Sequence, residues 1–163
     1  MNMYTRHEIS FCEHFSWWSR VRDSLSEKYL MYEVRGQRLG VVGFNKIDHL
    51  SKNAFWAFYA SPAAPKGTGS SMEFLALDYA FSELQLYKLS CEVLAFNLSV
   101  IKLHKRFGFS TEGNFRDHHL YDKAYVDVVR LGILRREWLE VRDSIFEKLW
   151  GGVPPTRKNG AMQ

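Results

Sequence analysis

The chain has 163 residues, 46% apolar and 25% charged, with a formal net charge of +4, the composition of one globular domain able to bury a core. No apolar run approaches the about 18 residues that span a bilayer, the N-terminus lacks a signal peptide's apolar centre, and Cys12 and Cys91 show no metal-ligand spacing. A cytoplasmic protein with reduced thiols, no membrane partner and no metal is expected, and its dispersed positive charge suits an anionic nucleotide cofactor better than nucleic acid.

In chain order, Phe15, Trp18, Val21, Arg22 and Leu25 recur at helical spacing and predict a helix between His14 and Tyr29. Residues 29–34 and 38–44 read as strands joined by the turn Arg35-Gly36-Gln37, an antiparallel hairpin. A third strand covers 54–59, and a loop with two prolines and two glycines follows from Pro62 to Ser71. Met72 to Leu86 is apolar on two faces, which predicts a buried helix. Residues 88–94 form the next strand, and Asn97 or Ser99 would cap a helix that Gly108 stops. Strands over 109–115 and 125–133 and an amphipathic helix over 135–150 complete the domain. The apolar side of that helix (Ile145, Leu149) would serve as a core lid or as a homodimer interface. The Gly/Pro-rich residues 151–163 are expected to be a flexible tail. The order α-β-β-β-α-β-α-β-β-α is an α+β arrangement around a mixed, mostly antiparallel sheet, with one βαβ crossover in the middle.

That crossover is the strongest chemical signal. Its strand runs into Lys66-Gly67-Thr68-Gly69-Ser70-Ser71 at the start of the buried helix. Glycines free the backbone to approach a ligand, and a helix N-terminus offers unpaired N–H groups and partial positive charge. Together they suit a pyrophosphate. No Lys-Ser/Thr follows the second glycine and no third glycine stands in line, which excludes a triphosphate P-loop and a dinucleotide fingerprint.

Downstream, Asn97, the helix through Leu103-His104-Lys105-Arg106-Phe107, and Gly108-Phe109 make the pair of motifs that resembles the GNAT acetyltransferase superfamily. The resemblance implies acetyl-CoA as co-substrate and direct transfer to an amine. It places the phosphates at residues 66–71, the pantetheine arm along the backbone of Phe58, Tyr59 and Ala60, and Asn97 beside that arm. Ala64 stands where the superfamily has Gln or Arg, with Lys66 supplying positive charge instead. His104 stands where many members have a Tyr that protonates the CoA thiolate; imidazole can do the same near neutrality. Glu73 and Glu92 are candidates by position for taking the amine's proton, and a backbone N–H between Phe58 and Ala60 for polarising the thioester. His118-His119 are adjacent in the chain and read as a solvated loop pair rather than a metal site.

Met3-Tyr4, Ile9-Ser10, His14, Met72-Glu73, Ala80-Phe81, the run from Leu103 to Gly113, and Tyr125-Val126-Asp127-Val128 also resemble one branch of the superfamily. Its members acetylate the 4-amino group of a UDP-amino-dideoxy sugar in pseudaminic acid biosynthesis. This narrower resemblance implies that Met3, His14 and Tyr59 line a nucleotide-sugar pocket. Members of that branch carry a further strand and an Arg-containing segment before the Met, so the domain expected over residues 1–150 is short of that strand. Three other readings stay open: acetylation of a protein or peptide amine, as on a ribosomal protein; acetylation of another amino sugar; and a non-catalytic acyl-CoA-binding module.

Overall fold

The computed structural model describes residues 10–151 and the short strand at 161–162. Helix α1 is Phe11–Val21, starting before His14 and ending well short of Tyr29, which lies in the following strand as expected. Ser10 caps α1 in a box with Glu13. Strands β1 (Lys28–Val34) and β2 (Gln37–Asp48) form the predicted hairpin. Their turn residues, Arg35 and Gly36, both have positive φ (51° and 80°), matching the twist that two-residue hairpins favour. Strand β3 (Asn53–Ala60) pairs antiparallel with β2.

Helix α2 spans Thr68–Ser82 and so begins inside the glycine loop, several residues before the expected start. Strand β4 is Lys88–Leu94, helix α3 Leu98–Arg106, and strands β5 (Ser110–Tyr121) and β6 (Ala124–Leu134) precede helix α4 (Arg135–Trp150). The β5–β6 hairpin is longer than its apolar pattern suggested, because Asp122 and Lys123 adopt positive φ without glycine. His118 and His119 therefore lie in a strand, not a loop. Beyond α4, Ala161–Met162 adds a two-residue strand, β7, to the edge of β1, within the segment read as a loose tail.

The sheet order is β5-β6-β4-β3-β2-β1-β7, antiparallel throughout except for β3 and β4. The core gathers Phe44, Met72, Phe74, Leu77, Leu89, Leu131 and Trp138. Trp138 meets Phe74 edge-on at 5.1 Å. Its Nε1–H donates to Asp78 (3.1 Å), which also accepts from Nε of Arg142 (2.7 Å). Helix α4 is thus pinned to α2, and with Ile145 buried and Leu149 packed on the core it serves as a lid.

The feature that positions the site is a parting of strands. β3 and β4 pair only from Asn53–Lys88 to Phe55–Ser90, yet β3 continues to Ala60 and β4 to Leu94. β2 still pairs with β3 out to Ala60, and β6 with β4 out to Leu94. The inner edges beyond Phe55 and Ser90 therefore face each other across a gap.

Candidate active site

A cleft of about 500 Å³ fills that gap, lined by Phe58, Tyr59 and Ala60 on one side, Cys91 to Leu94 on the other, and Asn97 and His104 from the α3 segment. The unpaired inner edge of β3 suits a peptide-like arm, which can add to it as another strand would.

The glycine loop at the start of α2 offers fewer free donors than the sequence implied. Gly67 sits at the α2 cap with φ of 93°, a conformation costly for residues with a Cβ. Thr68 directs its N–H to the Pro65 carbonyl (3.2 Å) and Ser71 to that of Gly67 (3.1 Å). The N–H groups of Gly69 and Ser70 meet no acceptor among the described residues. The first turn of α2 contains no acidic residue and no side chain caps it, so its positive end is uncompensated. Lys66 is exposed beside it, while the Thr68 side chain is buried. Gly69 packs between Leu103 and Phe58, joining the loop to the cleft wall. Arg106, a residue that sequence reasoning missed, reaches Ser70 Oγ at 3.4 Å. Its position in the last turn of α3 was the available signal. Asn97 occupies the α3 cap position, but its Oδ1 accepts from Ser99 Oγ (3.0 Å) and it makes no side-chain cap.

Two of the catalytic candidates meet. Nδ1 of His104 lies 2.7 Å from Oε1 of Glu73, with the His side chain 5% exposed and the Glu side chain fully buried. The rings of Trp56, Phe58 and Phe109 stand around the imidazole at 5.5, 6.2 and 5.2 Å. Oε2 of Glu73 has no partner among the described residues. Burial pushes the Glu73 carboxyl above the usual range, against the opposing pull of His104 and Arg106. Cys91 in the cleft wall is pushed well up by burial and by the charges of Glu73 and Glu92, so it stays a thiol. Glu92 lies apart from the pair, with Oε1 3.2 Å from Nη1 of Arg130, whose guanidinium covers the Phe55 ring at 4.1 Å.

Away from that pair, His14 is exposed and packs on Trp17 at 5.5 Å, and Trp17 meets Tyr29 edge-on at 4.8 Å. Tyr29 donates to Oδ1 of Asn45 (2.7 Å), and its phenol is raised by burial and by the nearby charges of Glu27 and Tyr59. Gly43 makes this possible, because a Cβ there would lie 2.6 Å from the Tyr29 ring. His14, Trp17 and Tyr29 thus form an aromatic row, and Tyr59 lies beyond it, near enough for its charge to act on the Tyr29 phenol; Trp17 and Tyr29 were not anticipated. Glu27 stands beside the row. Its Oε1 lies 3.9 Å from Arg20, and its Oε2 is buried and unpartnered among the described residues. Met3 lies outside the described residues.

Residues 5–129 match the family model described as an acetyltransferase (GNAT) domain. The chain belongs to the GNAT family. Among curated GNAT relatives, the spermidine N(1)-acetyltransferase of Escherichia coli (strain K12) is 30% identical over 115 residues, 70% of this chain and 62% of its own length. A putative ribosomal N-acetyltransferase of Bacillus subtilis (strain 168) is 27% identical over 69% of this chain and 61% of its own. The chain therefore matches about three-fifths of the length of these relatives. Among solved structures, a spermidine N-acetyltransferase from Vibrio cholerae in complex with CoA and spermine superposes with a TM-score of 0.80 at 24% identity, covering 85% of this chain and 83% of that one. A dodecameric structure of the Vibrio cholerae enzyme in an intermediate state gives a TM-score of 0.75 at 25% identity, over 80% and 77% of the two chains. The Escherichia coli and Vibrio cholerae relatives carry the polyamine activity in their names. None of these relatives is named for the pseudaminic acid pathway, whose enzyme the flanking segments resembled. No helix among the described residues is long and apolar enough to cross a membrane.

Proposed function

We propose that this GNAT domain transfers acetyl from acetyl-CoA to a primary amine of a small molecule, by direct attack in a ternary complex. The observation that carries the reading is the strand parting itself, with unpaired β3 backbone on one side, a helix N-terminus at one end and an imidazole in the wall. Gly69 and Ser70 N–H, with Lys66 and Arg106, would hold the pyrophosphate. The free edge of Phe58 to Ala60 would pair with the pantetheine amides. A backbone N–H on that edge would polarise the thioester carbonyl. His104 is the group placed to handle the proton.

A polyamine is the acceptor we place first. The 30% identical Escherichia coli relative is named for spermidine, and the site offers a fitting cation subsite. Glu27 holds a buried, unpartnered carboxylate oxygen beside Tyr29, and an ammonium group there would meet both a counter-charge and aromatic faces. The second reading is a nucleotide-linked amino sugar. It is favoured by the rings of His14 and Trp17 on α1, 5.5 Å apart and tilted at 50°, with His14 exposed as a face on which a base can stack.

The test is thiol release from acetyl-CoA with spermidine, spermine, a UDP-4-amino-4,6-dideoxy sugar and an N-terminal peptide of a ribosomal protein, each added alone. Saturable release with spermidine or spermine supports the first reading, and release with the sugar alone moves the acceptor to the second. Release with the peptide alone overturns the small-molecule assignment. Tight CoA binding with no release in any arm overturns the enzymatic proposal.

A further inference from the structure

Building on that acetyl-transfer reading, we propose that Glu73 and His104 form one proton relay, in which Nε2 of His104 takes the proton from the attacking amine and hands it to the departing CoA thiolate. The geometry supports a single relay over a separate base and acid. Nδ1 of His104 is committed to Glu73 at 2.7 Å, and Nε2 has no partner among the described residues. His104 lines the cleft, so Nε2 is the nitrogen offered to a ligand there. The other candidate base, Glu92, is engaged with Arg130 at 3.2 Å.

The steps balance as follows. A neutral amine attacks the thioester carbon; the C–N bond forms and the carbonyl π pair moves to oxygen. Nε2 accepts the proton released by the new ammonium, giving an imidazolium whose Nδ1–H faces the Glu73 carboxylate. The oxyanion pair reforms the carbonyl, the C–S bond breaks, and sulfur leaves with the bonding pair. Nε2–H then protonates that thiolate, and the relay returns to its starting state with N-acetylamine and CoA as products. Glu73 touches no reactant. It is a positioning residue that fixes the ring's orientation and balances the transient charge.

The surroundings fit a relay that must hold a proton briefly. Trp56 and Phe58 from β3 and Phe109 after α3 enclose the imidazole, keeping water away and strengthening the pair's attraction. The ionisable neighbours are Arg106 on α3, which favours the Glu73 carboxylate, and Cys91 on β4, which remains a neutral thiol.

The experiment uses the full chain, acetyl-CoA, and whichever acceptor of the panel turns over fastest, with CoA affinity and thermal melting measured beside the kinetics. Glu73→Gln is expected to lower kcat about 10-fold or more, and His104→Ala about 100-fold, with the KM for acetyl-CoA held within about 2-fold. Glu73→Asp should recover part of the loss. The double variant should be no worse than His104→Ala alone, because a relay fails as a unit. In Glu73→Gln the imidazolium loses its counter-charge, so the acidic limb of the kcat profile should move to lower pH. A folded Glu73→Gln protein with kcat within about 2-fold of wild type, an unmoved acidic limb, or additive losses in the double variant would overturn the relay while leaving acetyl transfer standing. Wild-type protein that binds acetyl-CoA yet acetylates no amine overturns both.

Discussion

The regions proposed to hold the acetyl donor and the amine acceptor are made of different material. The donor side is backbone and buried groups: the free edge of β3, the N–H groups of Gly69 and Ser70, and the enclosed Glu73–His104 pair. The proposed acceptor side is made of side chains, the row His14, Trp17 and Tyr29 across α1 and the sheet, with Tyr59 and Glu27 near Tyr29. Backbone geometry tolerates substitution of most side chains while keeping its ligand, whereas a row of aromatics can be retuned one residue at a time. On the proposed reading the donor is set by the fold, and the acceptor by a few replaceable contacts.

The largest effect expected on this contrast comes from His104, where the loss should appear in turnover and leave acetyl-CoA affinity intact. Next is Gly67. A side chain there must adopt φ of 93°, at a cost of about 1–2 kcal/mol, or the helix start must shift and misplace the Gly69 and Ser70 donors. Gly67→Val is therefore expected to raise the KM for acetyl-CoA about 10-fold, equivalent to about 1.4 kcal/mol of binding, without changing the acceptor KM. Steady-state kinetics with each substrate varied separately reads this. An equal rise in both KM values would show that the two sides are not independent.

The local backbone pattern of the proposed donor side was legible in the sequence. A glycine loop ahead of a buried helix, and Asn97 followed by a helix ending in Gly108-Phe109, are local patterns fixed by backbone needs. The order of elements along the chain and the central crossover followed from the alternation of apolar runs and turns. What escaped was non-local or lacked a turn signal. The pairing of Glu73 with His104 joins residues 31 positions apart, and no spacing rule brings α2 and α3 together at that point. The start of α2 at Thr68 was hidden because small and hydroxyl residues signal caps and loops as readily as a first turn. The β5–β6 turn escaped because Asp122-Lys123 takes positive φ without glycine. On the proposed acceptor side, His14 and Tyr59 were named but Trp17 and Tyr29 were not, since the two meet only when α1 is laid on the sheet. The positive net charge suited an anionic cofactor and gave no hint of the buried carboxylate oxygen of Glu27 beside Tyr29. A global charge count says little about a subsite a few ångströms wide.

A smaller effect is expected from Glu27. If its carboxylate meets the acceptor's ammonium group, Glu27→Gln should raise the spermidine KM about 5-fold, or about 1 kcal/mol for a partly exposed charge pair. The acetyl-CoA KM should not move, and the effect should shrink in high salt. With a nucleotide sugar as acceptor the same substitution should leave the KM unchanged or lower it, so the sign separates the two readings.

The smallest effect is one of stability, and it tests the buried nature of the donor side directly. Burial raises the Glu73 carboxyl above its ordinary value of 4.5, outweighing the charges that favour ionisation. A carboxyl raised on folding binds its proton more tightly in the folded than in the unfolded chain. Its favourable contribution is complete below the unfolded value and is lost as pH rises through the folded one. Glu73→Gln removes this dependence but keeps the shape of the side chain. The melting temperature of Glu73→Gln relative to wild type should therefore rise steadily from acidic pH toward neutrality, by a few degrees at most for a domain of this size (about 2–4 °C per kcal/mol). A gap that stays constant with pH, or closes toward neutrality, would mean that His104 and Arg106 compensate the buried carboxylate fully. The donor side would then hold its proton relay at no cost to the fold, and the contrast with the solvent-facing acceptor side would be one of function alone.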